Sequence, residues 1–286
     1  CRRGGTPRGG RGYYRAAATY GLYDFTVLTF PGIEMASHKT TALVTGASSG
    51  LGAEFCRQLA GRCEVIIAIA RREDRLNDLA NELAGKAEVH IIAADLATVE
   101  GLTRAVEALR QKGPVDFLVN NAGFGTFGAM DKVELAQQMD MIRLHVDATV
   151  ELSRAAIPFR RELGGGYIIN VASVGAFLPM KDSVVYGASK AFVTSFSRSL
   201  HDEVRAAGIR VQCLCPGFTR TEMHSTETFS GFDTERTPAE LWMESDAVVA
   251  ASLAALAEER VIVVPGEVNE NIVRGAIAGQ LHSIGE

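Results

Sequence analysis

Thr41-Ala-Leu-Val-Thr-Gly-Ala-Ser-Ser-Gly-Leu-Gly52 is the stretch on which the reading of the chain turns. A short run of strand character enters a loop with glycine at 46, 50 and 52, and an amphipathic helical pattern starts at once from Ala53. That order points the free N–H groups and the positive dipole end of a new helix at whatever lies over the loop. Glycine there lets the backbone turn sharply and sit close to a bulky anion, and a pyrophosphate fits that description. The spacing Gly-x-x-x-Gly-x-Gly differs from the commoner Gly-x-Gly-x-x-Gly. A glycine cluster is also what an ordinary turn collects, so the flanking chain has to decide.

Working outward, apolar runs of strand length recur: Glu64 to Ala70, Val89 to Ala94, Val115 to Val119, Tyr167 to Val171, Arg210 to Cys215 and Val261 to Val264. Helical patterns separate them, including a long one from Val133 to Arg161 and another from about Ser183 to Ala207. Near-continuous apolar strands alternating with helices predict a doubly wound α/β fold, a parallel sheet covered on both faces. Ligands of such sheets gather at the carboxyl ends of the strands, where strand order reverses. Gly46, Arg71, Asp95, Asn120, Ser173 and Pro216 each follow one of these strands immediately.

Arg71 and Arg72 bear on the cofactor. An acid at the end of the second strand suits the ribose 2′-hydroxyl of NAD, whereas arginine suits a 2′-phosphate. NADP(H) is therefore the preferred cofactor. NAD(H) stays open, because Glu73 and Asp74 just beyond could pair with the arginines and reduce their pull. In Ser183-Val-Val-Tyr-Gly-Ala-Ser-Lys190, Tyr186 and Lys190 stand four apart on one helix face. A phenol titrates near pH 10, and a nearby ammonium stabilises the phenolate, which makes the pair a usable acid/base. Ser173, at the end of the fifth strand, can hold a carbonyl oxygen against the tyrosine; alone, it reads equally as a capping serine.

From about Lys39 to Asn269 the chain resembles the classical short-chain dehydrogenase/reductase family. The resemblance rests on Thr45 to Gly52, Asp95, Asn120-Asn-Ala-Gly123, Ser173, Tyr186-Gly-Ala-Ser-Lys190 and Pro216-Gly217. It implies a seven-stranded Rossmann sheet in a single domain over residues 35–286, and hydride transfer between a nicotinamide and a carbonyl or alcohol. By that resemblance Tyr186 gives or takes the proton, Ser173 orients the carbonyl, and Lys190 both lowers the tyrosine pKa and reaches the nicotinamide ribose. Gly46, Ser48, Ser49, Gly50, Leu51 and Gly52 form the cofactor loop. Asp95 and Leu96 lie at the adenine, Asn121, Ala122 and Gly123 line the adenosine ribose, and Pro216, Gly217 and Thr219 flank the nicotinamide amide. One position departs from the pattern: where the family usually carries an asparagine that supports a proton-relay water, this chain has Leu144-His145-Val146. An imidazole there either keeps the relay, with a pH dependence near neutrality, or is merely packed.

Phe218, Met223, Phe229, Phe232 and Trp242 fall in the segment, about 217–242, that the resemblance assigns to a substrate lid. They suggest an apolar or aromatic carbonyl compound as the partner, unless they simply pack the lid onto the body. Pro265-Gly266 and the segment from Ile272 to Ile284 are candidates for a subunit contact, since the resemblance implies a homodimer or homotetramer.

Residues 1–34 differ in kind, with arginine at 2, 3, 8, 11 and 15 and a charge of +3, which leaves −8 for the rest of a chain of net −5. The acidic body argues against a nucleic-acid partner. The arginine-rich start is expected to be a disordered extension, upstream of a natural start at Met35 or added in cloning. An organelle-targeting peptide and an RNA-contacting tail are the other readings. No apolar run approaches the ~18 residues of a membrane span. Cysteine is present five times without framework spacing, which suits a reducing, cytoplasmic setting. Cys213 and Cys215 read as core residues, and neither cysteine nor histidine spacing suggests a metal. Against the enzyme stands a nucleotide-binding regulatory protein without turnover, for which His145 would be a sign of drift.

Overall fold

Val65–Ala70 forms a strand, β2, whose successive residues serve opposite cores. Val65, Ile67 and Ile69 enter one apolar cluster, and Ile66, Ala68 and Ala70 the other. β1 (Thr41–Thr45) divides its side chains the same way, Leu43 to the first cluster and Ala42 and Val44 to the second. An unbroken apolar run is thus what a strand with helices on both faces requires. The computed structural model describes residues 39–229, 231–232 and 236–284; the arginine-rich start lies outside the described residues.

β3 (Glu88–Ala93), β4 (Phe117–Asn120), β5 (Gly166–Val171), β6 (Ile209–Leu214) and β7 (Ile262–Val263) complete a parallel sheet of order 3-2-1-4-5-6-7. On one face lie α1 (Gly50–Leu59), α2 (Glu73–Glu82) and α7 (Ser245–Ala255), which bury Phe55, Leu59, Leu76, Leu79 and Leu253. The other carries α3 (Val99–Lys112), α5 (Ala148–Glu162) and α6 (Val184–Val204), burying Leu102, Leu109, Leu152, Leu200 and Val204. Each such side chain contributes roughly 1.5–3 kcal/mol on leaving water. Strand order reverses between β1 and β4, so the crevice of the doubly wound fold opens over their ends.

Polar residues tie the layers together where apolar ones cannot. Asn120 donates to Asn170 Oδ1 at 2.8 Å and to Ser153 Oγ at 3.1 Å, and Asn170 donates to Ser197 Oγ at 2.9 Å, which joins β4 and β5 to α5 and α6. At the amino ends of the strands, Arg160 of α5 meets Asp116, just before β4, at 2.6 Å, with both side chains under a tenth exposed. The second oxygen of Asp116 accepts from the Thr41 amide at 2.8 Å.

The long helical pattern from Val133 to Arg161 is not one helix. It divides into α4 (Leu135–Ile142), a π-helical turn at Arg143–Asp147, and α5. The added residue of a π turn barely disturbs apolar spacing, so the pattern reads through it; such turns occur often at functional sites. α8 (Glu267–Ile284) follows β7.

Candidate active site

The loop after β1 turns through glycine in the left-handed region at Gly46 (φ +67°) and Gly50 (φ +53°). At Gly52 a side chain would drive into the Gly46 carbonyl, so helix and loop can meet this closely only with glycine there. Ser49, the N-cap of α1, makes no side-chain capping hydrogen bond, in contrast with Thr98, which caps α3 by accepting from the Gly101 amide. The first-turn amides of α1 therefore keep their capacity for an anion. Thr45 fixes the facing strand end: its hydroxyl accepts from the amides of Asn121 and Ala122, both at 2.9 Å, and Asn121 Nδ2 donates back to the Thr45 carbonyl at 2.8 Å.

Over these strand ends lies a cavity of about 530 Å³. Gly46, Ser48, Ser49, Gly50, Leu51, Arg71, Arg72, Asp95, Leu96, Asn121, Ala122, Gly123, Pro216, Gly217 and Thr219 all line it, and so do Ser173, Tyr186 and Lys190. Gly52 and His145 are the two predicted residues that stand behind its wall. Uncapped amides, a glycine cradle and an arginine at the end of β2 fit a phosphate-bearing nicotinamide dinucleotide. Among the described residues, no group of His, Cys, Asp or Glu is placed to hold a metal ion.

Ser173 is the capping serine that its position allowed. Its hydroxyl caps the short 3-10 turn Val174–Ala176 by accepting from the Gly175 amide at 3.1 Å, and it also acts on the Tyr186 phenol. Burial pushes that phenol up from its ordinary value, and the Ser173 hydroxyl pulls the other way. The lowering expected from Lys190 is not seen. The ammonium donates to the Val171 carbonyl at 3.0 Å and sits 5.8 Å from the tyrosine ring centroid, and burial has brought its own pKa down to about 8.

His145 falls in the π-helical turn and is 2% exposed. The Ser189 hydroxyl donates to the Tyr186 carbonyl at 2.8 Å, so its oxygen accepts from His145 Nδ1–H, also at 2.8 Å. Nε2 is left as an acceptor with no hydrogen-bond partner among the described residues, and it comes so near Gly123 that a Cβ there would lie 2.6 Å away. Desolvation and the Lys190 charge hold the imidazole well below its usual pKa. A ring held this way is neutral near pH 7, which favours the packed reading of His145 over a titrating one. Turnover is expected to show no limb from His145 between about pH 5.5 and 7.5, and His145→Asn to leave the profile's shape unchanged there. A limb near 6.5 that the substitution removes would show that the ring titrates.

The arginines are corrected in one respect too. The acid that meets Arg72 is neither Glu73 nor Asp74 but Glu222, from the segment after β6, at 2.9 Å; Arg71 lies 4.0 Å from Asp95. Nothing in local spacing announces Glu222. Phe124 and Phe127, also unforeseen, line the cavity directly after Asn121 to Gly123, an adjacency that could have flagged them. Phe127 packs with Phe229 and Phe232, and Phe232 stacks on Phe218 at 5.6 Å, so aromatics of the lid segment both face the cavity and hold one another. Cys213 and Cys215 are fully buried, as read.

The family profile for short chain dehydrogenases matches residues 40–229. An uncharacterized oxidoreductase of Staphylococcus epidermidis is 33% identical over 211 residues, covering 73% of this chain and 89% of its own. A short-chain dehydrogenase from Sphingobium yanoikuyae, solved in complex with NADPH, superposes with a TM-score of 0.75 at 31% identity, over 85% of this chain and 95% of its own. A bulky-bulky ketone specific alcohol dehydrogenase from Comamonas testosteroni does so with a TM-score of 0.71 at 30% identity, over 85% and 94%.

Proposed function

The chain belongs to the short-chain dehydrogenase family, and from that premise we propose that it is an NADP(H)-dependent reductase of apolar or aromatic carbonyl compounds. The observation that carries the reading is the convergence of Ser173, Tyr186 and Lys190 on one cavity with the glycine loop and Arg72. A bound nicotinamide supplies or accepts the hydride. Ser173 holds the substrate oxygen, and Tyr186 Oη delivers the proton to it. A phenol raised by burial stays protonated at neutral pH, which suits the direction of reduction. Lys190 serves the other role that the resemblance gives it, its ammonium reaching the nicotinamide ribose from the cavity wall.

Arg72 over the loop supports the 2′-phosphate, as does the NADPH bound to the Sphingobium relative. Phe127, Phe218, Phe229 and Phe232 along the wall support an apolar substrate, in keeping with the ketone specificity of the Comamonas relative. A homo-oligomer in the cytoplasm belongs to the same reading. It is supported by Val268, Ile277 and Leu281, exposed on α8, and by Cys56, Cys63, Cys213 and Cys215, free and buried.

The test follows NADPH absorbance with a panel of aryl and alkyl ketones across pH. Turnover is expected, falling as pH rises through about 8, where Lys190 loses the charge that it carries below that value. Lys190→Arg, charged throughout, is expected to flatten that limb. NADPH binding without turnover of any carbonyl would favour the regulatory reading.

A further inference from the structure

Arg72 is occupied along both edges of its guanidinium. Nη2 donates to Ser49 Oγ at 2.8 Å and to Ser48 Oγ at 3.2 Å, and Nε reaches Ser48 Oγ at 3.3 Å. On the other side Nη1 meets Glu222 Oε2 at 2.9 Å, while Arg75 Nη2 stands 3.9 Å from Glu222 Oε1. Glu222 opens a 3-10 turn, Glu222–Ser225, capped by Thr221. Thr221 itself rests on the glycine loop, where a Cβ on Gly50 would be 3.1 Å from it. The lid segment thus reaches across the crevice and lays a carboxylate on the arginine that, in the reading above, takes the cofactor phosphate.

We propose that Glu222 competes with the 2′-phosphate of the cofactor for Arg72, and so sets how strongly the site prefers NADP(H) over NAD(H). The two neighbours of Arg72 differ in how they meet a phosphate. Serine hydroxyls turn and donate to phosphate oxygens; a carboxylate repels them and has to give up its own hydrogen bond. Arg71 is the less engaged of the two arginines, 4.0 Å from Asp95 and mostly exposed. The carboxyl of Glu222 is held below its usual range, first by its hydrogen bond from Arg72, so it is charged at neutral pH. Because that carboxylate also belongs to the lid, a phosphate that displaces it loosens the lid from the glycine loop.

The inference rests on the NADP reading, and the experiment separates the two. The full chain and its Glu222→Gln, Arg72→Ala and double variants are titrated with NADPH, NADH and 2′,5′-ADP by calorimetry. Side chains exposed to nearly half limit the gain, so Glu222→Gln is expected to tighten NADPH and 2′,5′-ADP by about three- to fivefold and to leave NADH within about twofold. The gain is expected to shrink at high salt and to vanish in the Arg72→Ala background. An unchanged ratio of NADPH to NADH affinity in Glu222→Gln, with Arg72→Ala weakening NADPH, overturns the inference alone. A weakening of NADH by Glu222→Gln also overturns it, by making the carboxylate a ribose ligand. Arg72→Ala without effect on any of the three removes the inference, and NADPH bound no more tightly than NADH by the full chain removes the NADP reading with it.

Discussion

Tyr186→Phe is expected to lower reductive turnover by about a thousandfold while leaving the dissociation constant for NADPH within about twofold. The change deletes one oxygen from a side chain that lines the cavity on α6, so fold and packing are preserved. Ser173 and Lys190 remain, one on its 3-10 turn and the other on the Val171 carbonyl. Neither replaces the lost proton: the Ser173 hydroxyl is too weak an acid, and the ammonium is directed at the backbone. A residual rate within tenfold of the parent would mean that the proton comes from elsewhere, and Tyr186 would lose the role proposed for it. Loss of NADPH binding would show a structural effect instead, so both quantities are measured on the same sample.

The second large effect is on stability. Arg160→Met is expected to cost about 3–5 kcal/mol, because it removes the cation from a buried carboxylate, Asp116, in a site where both side chains are under a tenth exposed. The methionine approximates the length of the arginine stem, so the loss is that of a partner rather than of volume. Asp116→Asn in the same chain is expected to restore much of it, since a neutral amide costs far less to bury. Urea unfolding gives both values. The pair lies at the amino ends of the strands, away from the cavity at their carboxyl ends, so turnover per folded molecule is expected to be unaffected. A cost below about 1 kcal/mol would mean that the partners Asp116 keeps, the Thr41 amide among them, hold the carboxylate without the arginine.

The frame was legible because the residues that build it repeat. Val65–Ala70 could hardly be anything but a strand buried on both faces, and the glycines between β1 and α1 sit where φ is positive or where a side chain would collide. Much of the candidate site was legible for a related reason: Gly46, Arg71, Asp95, Ser173 and Pro216 lie just past strand ends, which converge once the order of the sheet is known, while Tyr186 and Lys190 share a helix face. What escaped the sequence depends on contacts between distant segments. Glu222 lies in a stretch without periodicity and acquires its meaning only from Arg72. The π turn at Arg143–Asp147 hides inside continuous apolar spacing. Burial decides the charge states of His145 and Tyr186, and a motif of neighbours along a helix carries no measure of burial.

The strict division of β2 between two apolar clusters leaves that strand no tolerance of length. One residue inserted or lost would exchange every side chain between the faces, and neither layer of helices would fit what it received. A change of length is accommodated instead in the connections past the strand tips, where Arg72, Phe127 and Glu222 all reside. Such a molecule can be retuned at its rim while its interior stays fixed.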